Sequence, residues 1–313
     1  MNVAAIDIGT NTVLLLVAQI DADGKIIPVV YEQRIPRLGN GVDAQKNLQP
    51  ESIRRVVDVL KEYRATVTRF NLEKVIVAGT SAVRDAHNRE DLALLIKNQV
   101  GFDLEVLSGD DEAYWTYRGA TSGVPGVQRA TVVDIGGGST EITIGNARTV
   151  ENKISLNVGS VRLTERFFKH DPPTHTELES AITCVEDELA KAKGFDFEDR
   201  TLIGVAGTAT SLAMLDQGCK EFSIDAVTNY HLKLDNVNAL FRTLRAMPSV
   251  EILNLSSVMQ GRNDVIVAGT LILREIMAHY KFTEMIVNER GVRYGLAIRE
   301  WEKSLSTHQG VLL

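Results

Sequence analysis

Cysteine is scarce: the 313 residues hold only Cys184 and Cys219, too few and too far apart for a disulfide framework or a zinc site. A reducing, cytoplasmic setting is therefore expected, with both thiols as small core residues. No window approaches the ~20 apolar residues of a membrane span. The first residues lack a basic n-region and place Asp7 and Asn11 around apolar runs, so neither membrane insertion nor a signal peptide is expected. Basic charge is short as well. With 34 Lys and Arg against 41 Asp and Glu, the net charge of −7 argues against nucleic-acid binding, which relies on excess cationic side chains. A polyanionic ligand would need a local basic patch. What is plentiful is apolar sequence, 44% of the chain, enough for a large core and two domains.

The most informative stretch is residues 132–141, VVDIGGGSTE. An apolar run ends on Asp134, then Gly136, Gly137 and Gly138 precede Ser139, Thr140 and Glu141. Glycines after a strand let backbone N–H groups approach a ligand with no Cβ in the way, and these amides with a hydroxyl form an anion cradle. Phosphate is the natural guest. The flanking carboxylates Asp134 and Glu141 beside a phosphate call for a hard cation, with Mg²⁺ the usual choice. The same residues also read as a Gly-rich hairpin between two strands.

A second copy favours the cradle. Residues 4–12, AAIDIGTNT, repeat the pattern with Asp7, Gly9, Thr10, Asn11 and Thr12, and Asp7 and Asp134 are 127 positions apart. A further pair, Val-Ala-Gly-Thr at 77–80 and at 205–208, recurs at a spacing of 128. Two matches at nearly one offset predict two related α/β halves whose phosphate loops close on one ligand.

In chain order, residues 2–8, 13–20 and 26–35 read as strands, and Arg34, Arg37 and Gly39-Asn40-Gly41 as a loop. A helix is expected over 52–70 from Ile53, Val56, Val57, Leu60, Tyr63 and Val67. A strand over 74–78, a helix near 90–99, a strand over 103–107 and a helix opened by Ser108–Glu112 complete the first half. The linker-like residues 123–126 set the expected boundary, giving domains 1–124 and 125–295. The terminal helix, placed over 296–304 within residues 296–313, is expected to fold back onto the first domain.

In the second half, strands near 130–135, 141–146 and 151–158 are followed by a helix with a capping box of Thr176 and Glu179. A strand over 201–206 leads into Gly207-Thr208-Ala209-Thr210. The rest is expected to be mostly helical until a last strand at 285–287 and a loop over 289–295.

Hydrolysis of a phosphoanhydride requires that phosphate be held, its charge neutralised and a water aimed at phosphorus. Asp7 and Asp134, ending equivalent strands, with Glu141 are the candidate metal ligands; each Asp could equally serve a turn. Thr10, Asn11, Thr12, Gly136, Gly137, Gly138, Ser139, Gly207 and Thr208 are the candidate phosphate binders, or residues of tight turns. Arg84 could clamp phosphate with its planar fork, or be a solvated surface arginine. Glu112, beside Asp110 and Asp111, could accept a proton from the attacking water. Three acids in a first helical turn also suit the helix dipole.

AIDIGTNT (5–12), TSAVRDAHN (80–88), SGDDEA (108–113), VDIGGGSTE (133–141), GSVRLTERF (159–167) and GVAGTATSLA (204–213) together resemble the motif set of the exopolyphosphatase / guanosine pentaphosphate phosphohydrolase (Ppx/GppA) family. Arg262-Asn263-Asp264 and Gly291-Val292-Arg293 extend the match. The resemblance implies an α/β fold of two duplicated actin-like (ribonuclease H-like) domains with a central cleft. It also implies a hydrolase releasing terminal phosphate from inorganic polyphosphate or guanosine pentaphosphate with Mg²⁺, and possible use of a monovalent cation such as K⁺. On the family's motifs Glu112 matches the catalytic glutamate, Arg84 the phosphate-clamping arginine, and Asp134, Gly136, Gly137 and Glu141 the metal and phosphate residues. Guanosine penta- and tetraphosphate are the expected nucleotide partners, and a homodimer the expected assembly. Two departures are Asp111 where the family often has Glu, and Asn40 where a Glu often stands, which bears on cation affinity or substrate preference. The competing readings are an ATP-dependent kinase or ATPase of the same superfamily, and an alarmone- or polyphosphate-binding regulatory protein.

Overall fold

The structure is a computed structural model, and it describes residues 1–40, 42, 46–146 and 149–309. Gly41 of the expected loop and residues 310–313 of the expected terminal helix lie outside the described residues. The chain divides into two compact units, Met1–Gly119 with Gly291–Leu313, and Ala120–Arg290.

The first unit opens with β1 (Asn2–Ile8), β2 (Val13–Ile20) and β3 (Ile26–Arg34) as an antiparallel meander. Then follow α1 (Pro50–Val67), β4 (Lys74–Gly79), α2 (Ser81–Asp85), α3 (Arg89–Val100), β5 (Leu104–Val106) and α4 (Gly109–Thr121). The sheet order is β3-β2-β1-β4-β5, with β4 and β5 joining in parallel. Strand β1 is apolar almost throughout because both faces of the sheet are covered. Ala4, Ile6 and Ile8 meet the apolar stripes of α1 and α3, while Val3 packs with residues of the last helix, α12 (Val292–Gln309). The stripe of α1, from Ile53 to Val67, is the one its periodicity predicts, and Pro50 at the first turn suits a helix start.

The second unit repeats the plan. Strands β6 (Arg129–Ile135), β7 (Thr140–Asn146) and β8 (Val150–Leu156) form the meander. Helices α5 (Ser160–Phe167) and α6 (His175–Leu189) lead to β9 (Thr201–Val205), which joins β6 in parallel. Helices α7 (Ala206–Asp216), α8 (Ile224–Val227), α9 (Leu234–Leu244), α10 (Ser249–Leu253) and α11 (Ile266–His279) follow, with β10 (Tyr230–Lys233) between α8 and α9 and β11 (Glu284–Val287) after α11. The order β8-β7-β6-β9-β11-β10 matches the first sheet strand for strand, with β10 as an added edge. The register matches too. Asp7 pairs with Ala78 and Asp134 with Val205, 71 positions on in each unit.

Four expectations are corrected. The true capping box is Thr174 with Glu177, two residues before the expected one, because the helix starts upstream in an overlapping Thr-x-x-Glu frame. The mostly helical region after residue 216 holds one strand that the expectation omits, Tyr230–Lys233, which pairs antiparallel with β11. The expected loop over 289–295 turns helical at Val292. The sheet register relates Ala78 to Val205 at the same offset as Asp7 to Asp134, so the Val-Ala-Gly-Thr motif sits one residue further along in the second unit. There Ala206 takes a left-handed φ of 62°, a strained position for a residue with a Cβ.

Candidate active site

In each unit the strand-ending Asp leads into one and the same turn. Gly9 N–H donates to Thr12 C=O at 2.9 Å, and Gly136 N–H donates to Ser139 C=O at 3.0 Å. These bonds fold residues 9–12 and 136–139 into tight loops that present backbone at the ends of β1 and β6. Each loop is then braced by the segment following its third strand. Gly39 N–H donates to Thr10 C=O at 2.8 Å, while Ser160 and Val161 N–H donate to the carbonyls of Gly136 and Gly137, both at 2.9 Å. The approach is so close that a Cβ on Gly39 would lie 2.2 Å from Thr10 Cγ2, and one on Gly159 would lie 2.5 Å from the Gly137 carbonyl oxygen. Thr10 and Ser139 are buried in these loops, and Asn11, Thr12, Gly136 and Gly137 are half-buried.

Around the first loop the structure gathers acids and arginines. Glu112, in the first turn of α4, is 7% exposed and accepts a 2.7 Å bond from Arg84 at the end of α2. Arg84 also donates to the Leu107 carbonyl at 3.2 Å, which fixes its fork. The Thr80 hydroxyl, at the end of β4, bonds the Glu112 carboxylate. Burial pushes the Glu112 carboxyl up from its ordinary value, and the Arg84 guanidinium and the Thr80 bond pull it back without cancelling the rise.

Asp7 as a residue is half-buried, but its Oδ1 is sealed from solvent with no hydrogen-bond partner. Burial and the nearby Glu112 charge raise it to about 7, against the opposing pull of Arg293. Arg293, 3% exposed in α12, donates to the Leu15 carbonyl at 3.2 Å and stacks 4.4 Å from the Tyr31 ring centroid. Glu112 and Arg84, expected in catalysis, and Asp7, expected as a metal ligand, thus fall in one cluster, joined by Thr80 and Arg293, which lie in the matched motif stretches but carried no assigned role there.

The second unit holds a different set. Asp134 and Glu141 face each other across β6 and β7, in direct cross-strand register. Glu141 is 2% exposed and accepts a 2.6 Å bond from Ser155 Oγ on β8. Thr140 Oγ1 donates to the Val158 carbonyl at 2.6 Å, tying the cradle to the following segment. Thr208, entering α7, reaches the Ile135 carbonyl at 3.4 Å, so Gly207 and Thr208 stand beside the cradle. Arg262 donates to Gly207 C=O at 3.0 Å and Ser211 Oγ at 2.9 Å, holding the α7 entrance.

Among the described residues no group of three or more His, Cys, Asp or Glu is arranged as a metal cage. Mg²⁺ keeps several waters and is held by one or two carboxylates plus substrate phosphates. Half-buried Asp134 and buried Glu141 fit this donor set. In the first unit the orphaned Oδ1 of Asp7 is the kind of buried acceptor that a cation or its water satisfies.

Fold and sites together define a duplicated α/β protein of the actin-like class, with a strand-turn cradle in each half. The model of the Ppx/GppA phosphatase family matches residues 16–304, and the chain belongs to that family. It is 34% identical to Exopolyphosphatase 2 of Mycobacterium tuberculosis, over 95% of this chain and 97% of that protein. It is 33% identical to a bifunctional 3-dehydroquinate synthase/phosphatase of Fusobacterium nucleatum, over 91% of this chain but only 44% of the relative's length. A guanosine-5'-triphosphate,3'-diphosphate pyrophosphatase of Vibrio atlanticus is 31% identical over 94% of this chain, which spans 58% of its length. Among solved structures, an Aquifex aeolicus Ppx/GppA family member is 34% identical with a TM-score of 0.82, covering 97% of this chain and 98% of that one. An exopolyphosphatase from Cytophaga hutchinsonii is 29% identical with a TM-score of 0.87, covering 94% and 96%.

Proposed function

We propose that this protein is an exopolyphosphatase, releasing terminal orthophosphate from inorganic polyphosphate and, as a second substrate, from guanosine pentaphosphate. Family membership and relatives of both substrate types support this reading. The observation that carries it is Glu112: a buried carboxylate, raised by desolvation, gripped by Arg84 and Thr80 and standing near Asp7. An enclosed carboxylate whose proton affinity is raised by desolvation is a competent acceptor for the proton of an attacking water.

Glu112 takes the water's proton as oxygen attacks the terminal phosphorus; the bridging P–O bond breaks, orthophosphate forms and the shortened chain leaves with its terminal oxygen anionic, while the Arg84 fork steadies the carboxylate and offers its remaining donors to phosphate oxygens. In the first unit the loop at 10–12 supplies backbone amides and the hydroxyls of Thr10 and Thr12 for phosphate oxygens, and in the second unit the loop at 136–139 offers its amides and the Ser139 hydroxyl in the same way. Gly207 and Thr208 border the second cradle and bound its occupant. In the second unit Asp134 and Glu141 would hold Mg²⁺, which neutralises phosphate charge when bound, and in the first unit Asp7 is the candidate ligand. General-base help of this kind is worth about 10²–10⁴ in rate. The protein is further proposed to work in the cytoplasm and as a homodimer.

The direct test is orthophosphate release from polyphosphate without nucleotide, with Mg²⁺ present. Release by the wild-type protein and its loss in Glu112→Gln, with an unchanged circular dichroism spectrum, are expected. Wild-type turnover in that variant would remove Glu112 from the chemistry, and release that needs added nucleotide would replace the hydrolase with a kinase or ATPase.

A further inference from the structure

We propose that Ser155 is a positioning residue for Glu141, fixing the carboxylate of the second unit in the orientation that a divalent cation requires. The inference deepens the proposed function and rests on its reading of Asp134 and Glu141 as the cation-holding pair. The cross-strand register aligns Asp134, Glu141 and Ser155 as one row over β6, β7 and β8. Ser155 Oγ donates to Glu141 Oε1 at 2.6 Å, a short charge-assisted bond. Glu141 is almost completely buried, so its three side-chain torsions are fixed by neighbours rather than by solvent. A short hydroxyl on the adjacent strand locks the last of them.

The duplication provides an internal control. The equivalent row in the first unit is Asp7, Leu14 and Gln33. Where the second position is apolar, the third carries no hydroxyl. Ser155 therefore accompanies the carboxylate rather than the strand, where a β-branched residue would suit better. Outer partners that orient ligating carboxylates typically contribute 10–100-fold to metal affinity.

Mn²⁺ binding to the full chain, followed by the electron paramagnetic resonance signal of free Mn²⁺ without substrate, tests this. Wild type, Ser155→Ala, Ser155→Thr and Asp134→Asn are compared, with thermal unfolding in EDTA as the folding control. Binding about 10–100-fold weaker in Ser155→Ala, restored in Ser155→Thr and lost in Asp134→Asn, is expected. Wild-type binding by Ser155→Ala beside loss in Asp134→Asn would overturn the role of Ser155 alone. Equal binding by wild type and Asp134→Asn, or none by either, would remove the cation reading itself. Should Ser155→Ala fail to fold, the near-isosteric Ser155→Cys, a weak donor, takes its place with the same expected loss.

Discussion

The two units share strand order, register and turn, yet the residue facing the strand-ending Asp differs: Leu14 opposite Asp7, Glu141 opposite Asp134. One backbone plan therefore carries two different sets of charged side chains. The first unit sets its Asp near Glu112 and Arg293, with Arg84 paired to the glutamate, a set suited to moving a proton and gripping an oxyanion. The second unit pairs two carboxylates, a set suited to a hard cation. Divergence after duplication has acted on side chains while the hydrogen-bonded frame stayed fixed.

The strongest way to break this comparison is to remove one glutamate from each unit. Glu112→Gln should lower kcat by about 10²–10⁴ at any Mg²⁺ concentration, since proton acceptance is lost. Glu141→Gln should lose about 10–100-fold at limiting Mg²⁺ and recover much of it when Mg²⁺ is raised. Steady-state phosphate release across a Mg²⁺ series separates the two, and identical Mg²⁺ profiles would erase the division of labour.

Transplanting the difference sharpens it. Leu14→Glu would place a carboxylate opposite Asp7 and near Glu112, where like charges repel and desolvation is unrelieved. A loss of about 1–3 kcal/mol in urea unfolding is expected, with no gain in Mn²⁺ affinity.

The bracing glycines give a smaller contrast. Gly39→Ala meets a threonine methyl, which can rotate, whereas Gly159→Ala meets the Gly137 backbone, which cannot. Both should destabilise, at about 1–3 kcal/mol, with Gly159→Ala the worse. Equal midpoints would show that both loops yield alike.

The least effect is expected far from either loop. Glu177 is held down to about 2, first by its bond to His170 and then by the Thr174 backbone of the capping box. A depressed carboxyl stabilises above its ordinary value of 4.5 and loses that contribution as pH falls through about 2. Glu177→Ala should lower the melting temperature by about 2 °C at pH 7, the gap closing between pH 4.5 and 2.

Much of this was legible in the order of residues. Strands β1 to β3 and α1 announce themselves through turn residues and apolar spacing, and the repeat of Asp-Ile-Gly points to duplication. Glu112, Arg84 and Asp7 were each nameable, and the resemblance put them in one site; the contacts that join them were not readable, because they depend on α2 and α4 reaching β1 over long sequence separations. Arg293 was visible as part of the Gly291-Val292-Arg293 match, but its place beside Asp7 was not, since that needs the late helix seen against β1 and β2. Ser155 gave no signal at all, since a cross-strand partner is set by hairpin length. The capping box slipped because Thr174 and Thr176 both precede a Glu by three residues, and the local pattern has no way to choose.

The first unit is assembled from two separated pieces of chain, with the whole second unit encoded between them. A ribosome thus delivers Asp7 early and its counter-charge Arg293 some 286 residues later. Residues 120–290 can condense as soon as they emerge, while the meander of β1 to β3 waits uncovered on one face until α12 arrives. Nascent-chain lengths that end before residue 291 should accordingly show a protease-resistant middle and a digestible beginning.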